Sequence, residues 1–175
     1  QVDIKKIGPH GSSLAVVCCM HGDEIIGKKI IEKIQNLNIE KGTLGYILAN
    51  PKAYKQKERI ITQDLNRVFP GNKNGVYEEK LAYNLKEIIS KFDYLIDIHS
   101  TTGQTPPFAI TTKTSKKIIS LIKNARIENV VLMGENLASG KALIDFSQNG
   151  FSVEYYAKTP EKSLKLGVKH LKSLL

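Results

Sequence analysis

Apolar residues recur along this chain in two rhythms, short continuous runs and longer stretches with helical spacing. Leu14-Ala15-Val16-Val17-Cys18-Cys19 is the clearest run, preceded by a shorter one over 4–7 and a turn at Pro9-His10-Gly11-Ser12-Ser13. A run of that length without alternation predicts a strand covered on both faces. From 23 to about 37 the rhythm changes, and Ile25, Ile26, Ile30, Ile31 and Ile34 recur at the spacing of an amphipathic helix with Lys and Glu between them. A strand is predicted over 45–49. The twenty residues after Asn50-Pro51 are polar and aperiodic, which predicts a long loop, and loops of that length in compact domains usually serve a function. Helix spacing resumes over 76–91 through Leu81, Leu85, Ile88 and Ile89. Strands follow at 94–99, 108–111, 130–133 and 150–154, with helices at 115–125 and 162–174. Loops are expected at 101–107 and 134–140, and a helical segment at 141–148.

Strand, helix, strand alternation is the mark of an α/β sheet. At 175 residues the chain suits one domain with a substantial core. The expected architecture is therefore a single α/β domain over 1–175, a mixed and largely buried β-sheet flanked by helices. The 41% hydrophobic and 25% charged fractions fit an ordinary folded protein and exclude a disordered one. No apolar run approaches the ~20 residues of a membrane-spanning helix, and no signal-like segment opens the sequence. Cys18 and Cys19 are neighbours in an apolar run, a poor arrangement for a structural disulfide, and read as core cysteines of a reducing compartment. The expected location is the cytoplasm. A net charge of +9 raises the question of nucleic acid. The lysines are scattered over several segments without base-stacking aromatics, so no nucleic-acid partner is expected, only a bias toward anionic ligands.

Chemistry enters where strands end. His21-Gly22-Asp23-Glu24 closes the Leu14 run with a histidine and, three residues on, a carboxylate, positions that one helical turn brings together. Alone, this is equally well a solvated helix start with Glu24 favouring the helix N-terminus. His99 ends the strand at 94–99, and Glu154 ends the strand at 150–154. Polar residues at strand ends of an open α/β sheet mark the usual place for a site. Two histidines and a carboxylate are a donor set for Zn²⁺ that leaves a position for water.

The order His21-x-x-Glu24, then Asn50-Pro51-Lys52-Ala53, Arg59, Asp64-Leu65-Asn66-Arg67-Val68-Phe69-Pro70-Gly71, Asp97-Ile98-His99 and Gly150-Phe151-Ser152-Val153-Glu154 resembles the succinylglutamate desuccinylase and aspartoacylase family, a branch of the zinc-carboxypeptidase group. The resemblance runs from about residue 14 to residue 156. It implies a zinc-carboxypeptidase-like fold and hydrolysis of the amide bond of a small N-acyl amino acid by a zinc-activated water. It further implies one Zn²⁺ per chain on His21, Glu24 and His99, with Glu154 as general base and Arg59 on the carbonyl oxygen. Asn66 and Arg67 would grip the substrate carboxylate. Lys141 lies where relatives place a further substrate-binding cation, though the local match is poor. Asp64 is expected to accept the free ring N–H of His21, with Asp97 a rival for that task. His10 and His170 read as surface residues. Relatives commonly carry a second, mostly β domain, which is expected to be absent from 1–175. Tyr155-Tyr156 also departs from the family pattern, and either tyrosine could line the pocket or pack. Two rival readings remain: a carboxypeptidase acting on peptide C-termini, and a non-catalytic binding protein that keeps the fold.

Overall fold

A computed structural model of the chain describes residues 2–7, 11–37, 39, 41–134 and 140–175. His10 and most of the loop expected at 134–140 lie outside the described residues. The strands are β1 (Val2–Ile7), β2 (Ser13–Cys18), β3 (Gly42–Leu48), β4 (Tyr94–Thr101), β5 (Phe108–Thr111), β6 (Asn129–Leu132) and β7 (Gly150–Tyr156). They form one seven-stranded sheet in the order β1-β3-β2-β4-β7-β5-β6. The inner strands β3, β2, β4 and β7 are parallel, while β1 on β3 and β5 on β7 are antiparallel, so the sheet is mixed as expected.

The helices are α1 (Ile26–Ile34), α2 (Pro51–Gln56), α3 (Tyr77–Ile89), α4 (Lys116–Asn124) and α5 (Pro160–Lys172). One face of the sheet packs Ile96, Ile98, Phe151 and Val153 against Ile30 and Ile34 of α1, Ile118 and Ile122 of α4, and Leu171 of α5. The other packs Ala15, Val17 and Leu95 against Ala82, Leu85 and Ile89 of α3. Successive strand residues point to opposite faces, so Asp97 and His99 of β4 and Ser152 and Glu154 of β7 share the α3 face. Register sets His99 directly beside Glu154.

Several elements depart from the sequence reading for local reasons. Pro51–Gln56 is a helix rather than the start of a loop, because the Asn50 side chain accepts the Ala53 N–H at 3.1 Å and Pro51 suits the first turn. Helix α1 starts at Ile26 because 21–24 form a turn in which the Glu24 N–H reaches the His21 carbonyl at 3.2 Å. The helical segment expected at 141–148 shrinks to a 3-10 turn, Leu143–Phe146. His170 is not a surface residue. It is buried, and its Nδ1 lies 3.0 Å from the hydroxyl of Tyr155, which packs in the core.

Candidate active site

Strand β2 delivers the first ligand pair through an abrupt change of direction. Cys19 takes φ 54°, a left-handed conformation uncommon for a residue with a side chain, and turns the chain out of the sheet. Gly22 follows, and a Cβ there would collide with the Ala53 backbone and the Glu58 carbonyl. Only glycine lets α2 and the loop after it press against the turn, where the Gly22 N–H donates to the Arg59 carbonyl at 3.3 Å.

His21, Glu24 and His99 are all buried, and one donor atom from each lies within 4.8 Å of the others. Nδ1 of His21 is 2.7 Å from Glu24 Oε1, and Nδ1 of His99 is 2.9 Å from Glu24 Oε2. The outer ring nitrogens face two further carboxylates: His21 Nε2 meets Asp64 Oδ1 at 3.0 Å, and His99 Nε2 meets Asp97 Oδ2 at 2.8 Å. A carboxylate only accepts, so each Nε2 carries the proton and donates it. In the neutral ring each Nδ1 is then a second acceptor turned toward Glu24. Two facing acceptors need a proton or a cation between them, and a metal held by these three residues satisfies both pairs at once. Asp64 thus faces the outer nitrogen of His21, and Asp97 makes the corresponding contact with His99 rather than with His21.

A proton on each Nδ1 can serve as that cation, and the charges then agree with imidazolium rings paired to carboxylates. Burial pushes Glu24 up, but hydrogen bonds from His21 and His99 and their charges outweigh it, so Glu24 sits far below the usual carboxylate range. Burial works against imidazolium in both rings. Asp64 and Glu24 nevertheless raise His21, and Asp97 and Glu24 raise His99 strongly. Asp64 is lowered to about 2, with burial opposing and His21 prevailing.

The remaining residues surround this triad. Arg59, whose side chain is 53% exposed, donates from Nη1 to Glu24 Oε1 at 2.7 Å. Asp64 also accepts the Asn66 N–H at 2.9 Å, capping the 3-10 turn Leu65–Arg67. Asn66 accepts the Leu143 N–H at 2.9 Å, which ties that turn to the one at Leu143–Phe146. Glu154 leaves Oε2 buried with no hydrogen-bond partner. Burial raises its carboxyl, against a smaller downward pull from His99. Both histidines, Glu24, Arg59, Asn66, Arg67 and Glu154 line one cavity of about 370 Å³. Lys141 does not. Its side chain is exposed, and only its carbonyl takes part locally, accepting the Phe69 N–H at 3.3 Å. A larger cavity of about 520 Å³ opens at the far end of the sheet, beside Leu14, Thr43 and Tyr94, and contains none of these residues.

Glu78 supports the site without having been expected to. Its fully buried carboxylate accepts the backbone N–H of Ile61 at 2.8 Å and of Thr62 at 3.2 Å, together with the Thr62 hydroxyl. These bonds hold the loop between Arg59 and Asp64. Burial raises the Glu78 carboxyl, but the three donors outweigh it and lower it below its ordinary value. Its stabilising effect is thus complete above the unfolded value of about 4.3 and is lost as pH falls through the lower folded value. Glu78→Gln sets an N–H₂ against those donors and should cost about 1–3 kcal/mol at pH 7. Thermal melts from pH 7 to pH 3 should fall more steeply for the wild type than for Glu78→Gln. Parallel curves would show that the carboxylate does not hold the loop.

Residues 10–160 match the model of the succinylglutamate desuccinylase/aspartoacylase catalytic domain, which covers most of the chain. The chain belongs to this family. It is 26% identical over 173 residues to the N-acyl-aromatic-L-amino acid amidohydrolase (carboxylate-forming) B of Danio rerio, an alignment covering 83% of this chain and 55% of the relative. It is 28% identical over 160 residues to the succinylglutamate desuccinylase of Vibrio vulnificus, covering 79% and 44%. The crystal structure of a succinylglutamate desuccinylase/aspartoacylase from Rhodobacter sphaeroides superposes with a TM-score of 0.81 at 18% identity, over 99% of this chain and 57% of that one, and shares the fold. The chain spans about half the length of the curated relatives it matches. Among the described residues no helix is long and apolar enough to cross a membrane.

Proposed function

We propose that this domain is a zinc-dependent deacylase that hydrolyses the amide bond of a small N-acyl amino acid. The observation that carries the reading is the pair of Nδ1 atoms aimed at the two oxygens of Glu24, each ring fixed from behind by its own carboxylate. His21, Glu24 and His99 would hold one Zn²⁺, which supplies a Lewis acid that acidifies water toward neutral pH.

The other roles belong to side chains around the cavity. Glu154 takes the proton of the attacking water and passes it to the departing amine nitrogen. A half-buried carboxylate with a raised pKa and one buried, unpartnered oxygen suits that exchange near neutral pH. Arg59 stands at the cavity mouth beside Glu24, where its guanidinium can donate to the carbonyl oxygen as negative charge develops. Asn66 and Arg67 project from a turn anchored at both ends and receive the substrate carboxylate, for which a planar guanidinium fork is suited. Lys141 has no part in this reading because its side chain lies outside the cavity.

Steady-state kinetics with N-acyl amino acids separates the two arginines. Arg59→Ala should lower kcat by about 10²–10³, as loss of an oxyanion donor does, with little change in KM. Arg67→Ala should mainly raise KM for substrates with a free α-carboxylate. Equal effects of both variants on both constants would overturn this division.

A further inference from the structure

At the end of the sheet opposite the reacting centre, the starts of three parallel strands lay down an apolar floor. Leu14 of β2 pairs directly with Leu44 of β3 on one side and with Tyr94 of β4 on the other. Directly paired residues share a face, so the three form one row on the side covered by α1, α4 and α5. Leu121 of α4 and Leu174, just beyond α5, stand beside the row, and both are only partly buried. Between them lies the cavity of about 520 Å³, a size that suits a small molecule. None of His21, Glu24 and His99 lines it.

Cations stand on its rim. Lys116 and Lys117 open α4, Lys41 precedes β3, and all three are exposed. None of them takes part in an ion pair among the described residues. The described residues lining the cavity include no Asp or Glu. Asp93, which precedes β4, has its Oδ2 taken by the N–H and the hydroxyl of Ser13, each at 2.8 Å. Glu40, the sequence neighbour of Lys41, lies outside the described residues, so the anchoring charge is assigned to Lys116 and Lys117 alone.

An aliphatic floor suits an aliphatic body, and two adjacent ammonium groups at its edge suit a negative head. A cation would be repelled by Lys116 and Lys117, and a wholly polar solute would cover Leu14, Leu44 and Leu121 without removing apolar surface of its own from water. We propose that this cavity binds an amphipathic anion, a fatty-acid carboxylate whose chain lies along Leu44, Leu14 and Tyr94 and whose head pairs with Lys116 and Lys117. The site is separate from the triad, and the inference stands independently of the deacylase reading.

The chain has no tryptophan, so Tyr94→Trp places a single indole reporter in the cavity. Titrating that variant with dodecanoate, below its micellar concentration and at low ionic strength, should give a saturable change in indole emission at one equivalent per chain. Hexanoate, with six fewer methylenes to bury, should bind at least about tenfold more weakly. So should dodecyltrimethylammonium, which keeps the tail and reverses the head. Adding Lys116→Glu and Lys117→Glu should weaken dodecanoate by about tenfold, since two ion pairs worth up to about fivefold each give way to repulsion. Lys158→Glu with Lys165→Glu makes the same charge change at exposed positions outside the cavity and should leave binding unchanged. Calorimetry on the lysine variants of the wild type gives the same comparison should Tyr94→Trp fold poorly. No saturable binding of dodecanoate, equal binding of the cationic amphiphile, or equal losses in the two double variants would overturn the inference. Binding that requires zinc would overturn it too, by moving the carboxylate to the triad.

Discussion

Glu154→Gln should reduce kcat on N-acyl amino acids by about 10²–10⁴, the usual contribution of a positioned general base, while zinc content and KM change little. Glutamine keeps the shape of the side chain and loses only its ability to take a proton. The environment explains why the loss should be this large. Glu154 lies beside His99 in the register of two parallel strands, is partly buried, and leaves one oxygen without a partner. Among the described residues, the other carboxylates around the two histidines, Glu24, Asp64 and Asp97, are each engaged by a histidine ring. A Gln variant that turns over at the wild-type rate would assign the proton transfer to another group.

His99→Ala should abolish stoichiometric zinc, and with it the stabilisation that zinc brings. A ligand bound only by the folded state at 100 times its Kd stabilises by about 2.7 kcal/mol. In a chain of this size that corresponds to a rise in Tm of about 5–10 °C. Wild type should show such a rise when zinc is added to the metal-free protein, and neither His99→Ala nor His21→Ala should. The same substitution strips Asp97 of its partner, leaving a fully buried carboxylate without its donor, so His99→Ala should also melt lower than wild type before any metal is added. Normal zinc content in either purified variant would refute the ligand assignment.

How much of this was legible in the sequence follows from how local each signal is. His21 and Glu24 could be read because one turn of chain places them together. His99 and Glu154 could be read because apolar strands announce their own ends. The sheet followed from strand and helix alternation, and Arg59, Asn66 and Arg67 fall at the cavity because the loop that carries them returns over the strand ends. The pairing of Asp64 with His21 and Asp97 with His99 was only half visible. It depends on which ring nitrogen faces which strand, a matter of rotamers rather than of spacing.

The misses have the same origin. Helix α2 was hidden because Asn-Pro signals the end of a strand and the capped start of a helix equally well. His170 looks like one more polar residue on a basic helix, yet the tyrosine that buries it comes from β7, fifteen residues earlier. Glu78 sits in the first turn of α3, where an acidic residue ordinarily serves the helix N-terminus. Its contact with Ile61 and Thr62 arises only when the intervening turn folds back.

The central claim is that the triad of His21, Glu24 and His99 carries a zinc ion that this domain uses to release an amino acid from an N-acyl amino acid. Its most direct test is titration of the metal-free protein with zinc while the appearance of free amino acid is followed. The account predicts no release without metal and a rate that rises linearly to a plateau at one equivalent per chain. Release that is independent of zinc, or none at full occupancy across aliphatic, aromatic and dicarboxylic N-acyl amino acids, would contradict it.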